Sequence, residues 1–225
     1  MLQHTPAIAP VTTTQRPRAP VAPHPLTGPL EMMGTTMSYD RNEEIYGEGD
    51  AAEYLYKVVS GSARTYKILS DGRRQIGAFY LPGDVFGLEI GDNHAFSAEA
   101  VGSAKILVIK RSALVALAGR DTEVARQLWT FTARELHRAQ DHMLLLVKSA
   151  QERVAAFLLE MAARTSGGNA VELPMSRQDI GDYLGLTIET VSRTLTQLEN
   201  AAAIELPSSR RIVLRNRSAL DRLNS

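Results

Sequence analysis

The segment "ETVSR" contains two side chains that can read DNA bases. Glu189 and Arg193 are four residues apart, so on a helix they share one face, where they can also pair with each other. A carboxylate accepts a hydrogen bond from the amino group of cytosine, and an arginine donates two to guanine. Ser192 and Ile188 border the same face, and Ile188 is suited to contact a thymine methyl group. Since most Glu–Arg pairs at this spacing are ordinary solvated pairs, the interpretation depends on the surrounding elements.

Two helical patterns joined by a glycine break surround this segment, in "MSRQDIGDYLGLTIETVSRTLTQLENA". Gly181 stands where a second helix must approach closely, and Gly185 permits the backbone conformation of a tight turn. Thr187 is a candidate N-cap of the second helix. The apolar residues expected to face inward are Ile180, Leu184, Leu186, Val191, Leu195 and Leu198. This arrangement predicts a helix-turn-helix whose second helix enters the major groove.

Two extended runs, 204–206 and 210–214, follow the second helix and flank a Pro-Ser-Ser turn. This pattern predicts a β-wing beside the helix-turn-helix. Hydroxyl and guanidinium groups in such a wing can bind DNA phosphates. The candidate phosphate contacts are Ser208, Ser209, Arg210 and Arg211.

Between residues 37 and 109 the chain alternates short extended runs with glycine turns. The runs "YLYKVVSG", "SARTYKIL", "RRQIGAFYL" and "AKILVIK" are rich in β-branched and aromatic residues. Asp71-Gly72, between two of these runs, is a strong hairpin signal. Strands this short at this spacing predict an antiparallel β-barrel or jelly roll.

A long helical pattern at residues 121–147 carries apolar residues on two faces. One face is a heptad seam, and a second stripe, Val124, Leu128 and Phe131, lies on the adjacent face. A helix with two apolar faces packs against two bodies, so we expect the stripe to face the β-roll and the seam to face its own copy in a homodimer. The alternative is a helix packed wholly inside one chain. The seam consists of Ala125, Trp129, Thr132, Leu136, Ala139, Met143 and Leu146.

The composition excludes several kinds of site. There is no cysteine, so the chain has no disulfide, thiolate zinc site or cysteine-ligated iron–sulfur cluster. The five histidines are not spaced to share a metal on one helix face, and no apolar run approaches the ~18 residues of a transmembrane helix. We therefore predict a cytoplasmic protein without a metal site or a membrane contact. Because the formal net charge is +0, any DNA-binding surface must be local.

The order of β-roll, long helix and C-terminal winged helix-turn-helix resembles the CRP/FNR superfamily of bacterial transcription regulators, over about residues 37–225. Glu189, Ser192 and Arg193 match the FNR-type recognition pattern, which implies readout of TTGAT-type half-sites in an inverted repeat. "RQDIGDYLGLTIETVSRTLTQLE" and "RRIVLRNRSAL" are similar to the FixK group, which controls genes for low-oxygen respiration, nitrogen fixation and denitrification. The same resemblance implies phosphate contacts by Ser176, Arg177, Thr187 and Thr190.

The sensor chemistries of this superfamily lack their residues here. FNR holds an iron–sulfur cluster with cysteines, and where some FixK-group members carry a redox-sensitive cysteine this chain has Ser176. CRP-type pockets combine Gly-Glu-Leu with Arg-Ser-Ala, whereas this chain reads "FGLEIGDNHAFSAEA", with Glu89 displaced and Phe96 in place of the arginine. A buried phosphate without that cation lacks its charge-assisted partner. We therefore expect no cofactor and no cyclic-nucleotide control.

The predicted fold class is α+β, and the chain divides into four parts. These are a disordered proline-rich tail at 1–35, a β-roll resembling cyclic-nucleotide-binding domains at 36–119, a dimerisation helix at 120–149 and a winged helix-turn-helix at 150–225. The tail follows from its composition, since residues 1–30 contain seven of the ten prolines and little that can be buried.

The predicted function is that of a homodimeric, FixK-like transcription activator. It would bind a TTGAT-N4-ATCAA-like palindrome, contact RNA polymerase, need no effector and be controlled through its amount. The alternative is a ligand-gated regulator whose β-roll holds haem or another small molecule, with His94 as the first haem-ligand candidate. An enzyme is a third reading, in which Glu89 and Asp92 form a carboxylate pair. No nucleophile–base constellation supports catalysis, so we predict no enzyme.

Overall fold

The computed structural model describes residues 31–165 and 168–224. The predicted proline-rich tail lies almost wholly outside these residues. The described chain runs from a β-roll through a long helix to a helix-turn-helix, which confirms the predicted α+β fold.

The β-roll consists of two antiparallel sheets of four strands each. Their strands are β1 (Gly34–Tyr39), β2 (Glu44–Tyr46), β3 (Tyr54–Ser60), β4 (Ala63–Ile68), β5 (Arg74–Tyr80), β6 (Val85–Phe86), β7 (Ser97–Ala100) and β8 (Ala104–Lys110). One sheet has the order β1-β8-β3-β6 and the other the order β2-β7-β4-β5. Val58 and Ile106 from the first sheet meet Ala63 and Ala98 from the second in one buried cluster, and all four are 0% exposed. Alternating small and large side chains therefore fill the space between the sheets.

The turn between β4 and β5 is the hairpin that Asp71-Gly72 predicts. Gly72 has a φ of 83°, which a residue with a side chain rarely adopts. The N–H of Leu69 donates to the carbonyl oxygen of Arg73 at 2.8 Å and closes the turn. This hairpin places Arg73 and Arg74 side by side at the start of β5.

The described residues also form six α-helices and three further strands. The helices are α1 (Arg111–Ala118), α2 (Thr122–Leu145), α3 (Ala150–Arg164), α4 (Arg177–Leu184), α5 (Ile188–Asn200) and α6 (Arg217–Asn224). The strands β9 (Ala170–Glu172), β10 (Ile204–Glu205) and β11 (Arg211–Leu214) form an antiparallel sheet in the order β10-β11-β9.

The second stripe of α2 faces the β-roll, as predicted. Val124 and Phe131 are 2% and 6% exposed. They pack in one cluster with Leu55 and Ile109 of the β-roll, and Leu128 is partly buried against it. This contact fixes α2 along the β-roll of its own chain.

The long helix ends two residues earlier than the sequence pattern predicts. Its last residue is Leu145, and the predicted end was residue 147. Ser149 and Glu152 form a capping box, in which each side chain bonds the backbone N–H of the other. Because this capping box requires non-helical backbone at Ser149, it separates α3 from α2.

The β-roll and the C-terminal half share a hydrophobic core. Phe79 of β5 lies with its ring centroid 6.3 Å from that of Phe157 in α3 and 5.3 Å from that of Tyr183 in α4. Ile76 belongs to the same buried cluster. The helix-turn-helix therefore packs on the β-roll of its own chain.

The C-terminal helix α6 is a finding that the sequence analysis did not predict. Leu220 is 0% exposed and belongs to the core around α3. The side-chain oxygen of Asn216 accepts a hydrogen bond from the N–H of Ala219 at 3.0 Å and starts the helix. An asparagine cap followed by Leu220 and Leu223 is the sequence signal from which this helix could have been predicted.

Candidate nucleic-acid interface

The helix-turn-helix consists of α4, a tight turn and α5. Gly185, at the end of α4, has a φ of 63° and a ψ of 39°, in the left-handed region that favours glycine. A Cβ atom on Gly181 would lie 2.6 Å from the carbonyl oxygen of Leu186, so a side chain there does not fit without movement. Both glycines therefore have the predicted roles, one in the turn and one at a close backbone approach.

The recognition helix α5 has one buried face and one exposed face. The buried face, as predicted, holds Val191, Leu195 and Leu198, which are at most 2% exposed. The outward face carries the predicted base-reading residues Ile188, Glu189, Ser192 and Arg193, of which Ser192 is half-buried and the others are exposed. The packing of one face therefore presents the other to solvent.

The start of α5 is fixed by a threonine cap. The hydroxyl of Thr187 accepts a hydrogen bond from the N–H of Thr190 at 3.2 Å, which confirms Thr187 as N-cap. The backbone N–H of Glu189, followed by the hydroxyl of Thr187, lowers the pKa of the Glu189 carboxyl group. This carboxylate is therefore ionised and accepts hydrogen bonds at neutral pH.

Glu189 and Arg193 do not form the ion pair that their spacing allows. Among the residues that the structure describes, no salt bridge joins them. The pairing that their spacing allows is therefore absent from the structure. The Arg193 guanidinium is exposed and unpaired within the described chain, so its five N–H donors are available.

The wing consists of β10, β11 and the turn between them. The hydroxyl of Ser208 accepts hydrogen bonds from the N–H groups of Arg210, at 3.4 Å, and Arg211, at 3.1 Å, and so holds the turn. Ser209 and both arginine side chains are exposed. Arg215, farther along the wing, is paired with Glu205. Arg210 and Arg211 are thus the cations that the wing offers.

Ser176 and Arg177, at the start of α4, differ in whether their side chains already have hydrogen-bond partners. The Ser176 hydroxyl accepts from the N–H of Asp179 at 3.1 Å and donates to its carboxylate at 2.8 Å, so it is already engaged as an N-cap. The Nε atom of Arg177 is buried and, within the described residues, has no hydrogen-bond partner. The guanidinium of Arg177 is therefore the open group of this pair.

A cluster of buried charges between α4 and the β-roll was not predicted from the sequence. Arg74 donates to Asp179 at 2.5 Å and to Asp182 at 2.8 Å, and Arg64 lies 3.0 Å from Asp179. Arg64 also pairs with Glu99 at 2.6 Å. The pairs that join the β-roll to α4 are more than a hundred residues apart in sequence, so their contact could not be predicted from local spacing.

The heptad seam of α2 is uncovered in the single chain. Trp129, Leu136 and Met143 are 75%, 60% and 62% exposed. Ala125, Thr132 and Ala139 are also exposed, and Leu146 is half-buried. Such a contiguous apolar stripe on an exposed helix face is typical of an interaction surface.

A cavity of about 410 Å³ lies between the β-roll, α2 and α3. Phe96, which stands where CRP-type pockets have an arginine, is part of its wall. Arg138 and Arg164 also line it, and both pair with Asp84, at 3.4 and 2.6 Å. The cations of the cavity wall are therefore already neutralised by a carboxylate.

His94 is enclosed in an aromatic cluster rather than placed in the wall of this cavity. Its side chain is 0% exposed and stacks on Tyr46 with a centroid distance of 3.6 Å. The Nδ1 atom lies 3.6 Å from Glu89 Oε1, and within the described residues neither ring nitrogen has a hydrogen bond. Burial lowers the pKa of His94, against the opposing effect of Glu89. This geometry does not present His94 as a ligand to a haem in the cavity.

Within 31–165 and 168–224, no helix combines the length and the apolarity that crossing a membrane demands. Over the same residues, no three acidic or histidine side chains are grouped as metal ligands.

Two domain families match the sequence. The cyclic nucleotide-binding domain family matches residues 36–121. The Crp-like helix-turn-helix domain family matches residues 152–223.

The chain is similar to nitrogen fixation regulation proteins. It is 56% identical to FixK of Azorhizobium caulinodans over 199 residues, which are 86% of this chain and 80% of that protein. It is 42% identical to FixK of Rhizobium meliloti over 196 residues, which are 86% of this chain and 90% of that protein. Among solved structures, FixK2 from Bradyrhizobium japonicum matches with a TM-score of 0.82 and 57% identity, covering 85% of this chain and 98% of that chain.

Proposed function

The chain belongs to the CRP/FNR family of transcription regulators, with FixK proteins among its relatives, and on this premise we propose a specific activity. It is a cytoplasmic, homodimeric activator that binds a TTGAT-N4-ATCAA-like palindrome without a small-molecule effector. The observation that carries the proposal is the outward face of α5, where an unpaired Arg193 follows a glycine turn. An exposed, unpaired guanidinium on a helix with one buried face is the arrangement that major-groove readout needs.

Base readout is assigned to four residues of α5. Arg193 donates two hydrogen bonds to a guanine, and Glu189 accepts one from a cytosine amino group. Ser192 assists, and Ile188, which is 38% exposed, contacts a thymine methyl group. Because Glu189 and Arg193 are not occupied with each other, each is free to meet its own base.

Phosphate contacts surround the recognition helix on both sides. Arg177 and the first-turn N–H groups of α4 and α5, capped by Ser176 and Thr187, provide one set. Thr190 extends this set. The wing provides the other set, with Ser208, Ser209, Arg210 and Arg211. These contacts fix the register of α5 on the duplex and carry no sequence information.

The dimer forms through the seam of α2. Its exposed members, including Trp129, Leu136 and Met143, pack against the same residues of a second chain. The two-fold axis then places two recognition helices about 34–36 Å apart, in successive major grooves of an inverted repeat. In this proposal residues 36–119, 120–149 and 150–225 act as effector-type domain, dimerisation helix and DNA-binding domain.

Effector independence is supported by the charges of the cavity. A cyclic phosphate needs an unpaired cation, whereas Arg164 is held by Asp84 at 2.6 Å and Glu160 at 2.9 Å. The chain also has no cysteine for a cluster or a thiol switch. Control then acts on the amount of protein. The relatives' names place nitrogen fixation among the processes they regulate, and we extend this to genes of low-oxygen respiration and denitrification, transcribed through contact with RNA polymerase.

A ligand-gated regulator is the second candidate, because the cavity of about 410 Å³ has room for a small molecule. Its aromatic wall and its neutralised cations favour an uncharged ligand. Haem bound through His94 has no support in the geometry, since His94 is enclosed by Tyr46 and does not line the cavity. An absorption spectrum of the purified protein decides this point, because bound haem produces a Soret band.

The proposal is tested by titrating a TTGAT-N4-ATCAA duplex in air, at fixed salt and without added ligand. A scrambled duplex of the same composition is the control. Specific recognition predicts at least a ~1,000-fold preference for the palindrome. Equal affinity for both duplexes would contradict effector-independent activity, and recovery of the preference with a cell extract's small molecules would favour the second candidate.

A further inference from the structure

The first helix of the helix-turn-helix is tied to the β-roll by charged groups that point across the boundary between them. Arg74, at the start of β5, donates to Asp179 at 2.5 Å and to Asp182 at 2.8 Å. Both carboxylates belong to α4. One guanidinium therefore bridges two successive turns of the helix, which restrains its rotation as well as its distance.

Asp179 has a double role in this contact. It is 5% exposed, and its carboxylate also accepts the N–H and the hydroxyl of Ser176, which caps α4. Arg64 of β4 lies 3.0 Å from the same carboxylate and pairs with Glu99 of β7 at 2.6 Å. The cap of α4 is thus connected to a charged network whose other members are rigidly held in a β-sheet.

The connection along the chain is less restraining than this side-chain network. Residues 146–149 separate α2 from α3, and α4 follows only after β9. The apolar contact of Phe79 with Tyr183 holds the two halves together but does not define their angle strongly, since apolar packing is non-directional. Arg164 bonds Asp84 at 2.6 Å and the carbonyl oxygen of Phe79 at 2.7 Å, but it belongs to α3 and does not hold α4 itself. The hydrogen bonds of a guanidinium are directional, so they are suited to define that angle.

We propose that Arg74 is a positioning residue, which sets the orientation of α4 and α5 on the β-roll and thereby the half-site spacing that the dimer accepts. This inference rests on the proposed function. Asp179 and Asp182 of α4 accept the hydrogen bonds of Arg74. Arg64 and Glu99 extend the same network within the β-sheet.

The consequence is a prediction about geometry rather than base identity. Each base pair added between two half-sites moves the second by about 3.4 Å and rotates it by about 34°. A dimer with fixed recognition helices rejects such a shift, whereas a dimer whose helices reorient tolerates it. Loss of the Arg74 contacts therefore relaxes the preference for spacing and leaves the preference for each base in place.

The test compares Arg74→Met with Arg73→Met in the full-length protein. The two variants have the same net charge and adjacent positions, but Arg73 is 78% exposed and pairs with Asp71 of its own turn. Affinities are measured for duplexes with three, four, five and six base pairs between the same half-sites. We expect Arg74→Met to reduce the discrimination between spacings by about fivefold or more, with Arg73→Met unchanged from wild type.

Two further variants guard against a folding defect. Arg74→Lys keeps one charge contact and should give intermediate discrimination. Asp182→Asn removes one of the two carboxylates that Arg74 bonds and leaves Asp179, so it should also give intermediate discrimination. Duplexes with one mutated half-site base show whether both proteins still read bases. If wild type and Arg74→Met lose affinity equally on those duplexes and also show the same spacing preference, the inference is overturned. A wild type without any preference for the palindrome would instead contradict the proposed function.

A measurement without DNA keeps the inference testable in that case. Since the chain has no cysteine, Ser70→Cys and Gln197→Cys together introduce one labelling site in the β4–β5 hairpin and one in the recognition helix α5. A spin label is attached at each site. Labelled chains are diluted into unlabelled protein so that each dimer carries one pair of labels. The inference predicts a narrow distance distribution in wild type and Arg73→Met and a broad one in Arg74→Met. Equal widths in all three would refute it.

Discussion

The backbone N–H of Leu186 donates a hydrogen bond to the carbonyl oxygen of Gly181 at 2.9 Å. This contact brings the turn after α4 so close to the helix that a Cβ atom on Gly181 would lie 2.6 Å from the Leu186 carbonyl oxygen. The angle between the two helices of the DNA-reading unit therefore depends on the absence of a side chain at one position.

Gly181→Ala should destabilise the protein by about 1–3 kcal/mol, because the backbone of the turn must move to admit the methyl group. The measurement is the free energy of unfolding from a denaturant titration. Gly91→Ala is the control, since a Cβ atom there would meet nothing within 4 Å. Equal stability of the two variants would show that the turn is not closely packed.

Leu136→Glu should convert the protein into a monomer in light scattering. Leu136 is 60% exposed on the seam, and a carboxylate at the centre of an apolar helix pair would lose its hydration without gaining a partner. Thr130→Glu adds the same charge to the same helix off the seam and should leave the dimer intact. A dimeric Leu136→Glu would refute the assignment of the interface to α2.

Arg210→Ala and Arg211→Ala should each weaken binding to all DNA sequences about equally. A lost phosphate contact lowers the slope of log affinity against log salt by about 0.9. The slope is obtained from titrations at several salt concentrations with palindromic and scrambled duplexes. Arg120→Ala, in the turn between α1 and α2, removes the same charge far from the wing and should leave the slope unchanged. A change in base preference for the wing variants would contradict their role as phosphate contacts.

The helix-turn-helix was predictable because its signals are local. The positions of Gly181 and Gly185 and the cap at Thr187 depend on residues within one or two turns. The charged network could not be predicted in the same way, since Arg74 and Asp179 meet only after the β-roll and α4 have packed together. The spacing of Glu189 and Arg193 allows an ion pair but does not require one, since both side chains are exposed to water.

The stability of the β-roll should fall as the pH drops below about 6.5. Burial lowers the pKa of His94 in the folded protein, so the unfolded chain binds a proton first and acid favours unfolding. Glu89, Asp50 and Arg111 are the charged groups whose fields reach this ring. Each unit of pKa difference contributes about 1.4 kcal/mol.

His94→Phe keeps the stack on Tyr46 and removes the titrating group, so its melting temperature should differ less between pH 7.5 and pH 5.5 than that of wild type. His142, whose pKa burial also lowers, accounts for a remaining dependence. His137→Gln, which replaces another histidine of α2 that is only partly exposed, is the control and should retain the wild-type difference. An unchanged pH dependence in His94→Phe would contradict this assignment.

Readout of a guanine by Arg193 can be measured with a double-mutant cycle. Wild type and Arg193→Ala are titrated on the palindrome and on a duplex whose half-site guanines are replaced. We expect Arg193→Ala to lose about 1–3 kcal/mol of binding free energy on the palindrome and little further when the guanine is replaced, because residue and base take part in the same interaction. Equal losses from the guanine replacement in both proteins would show that Arg193 does not read that base.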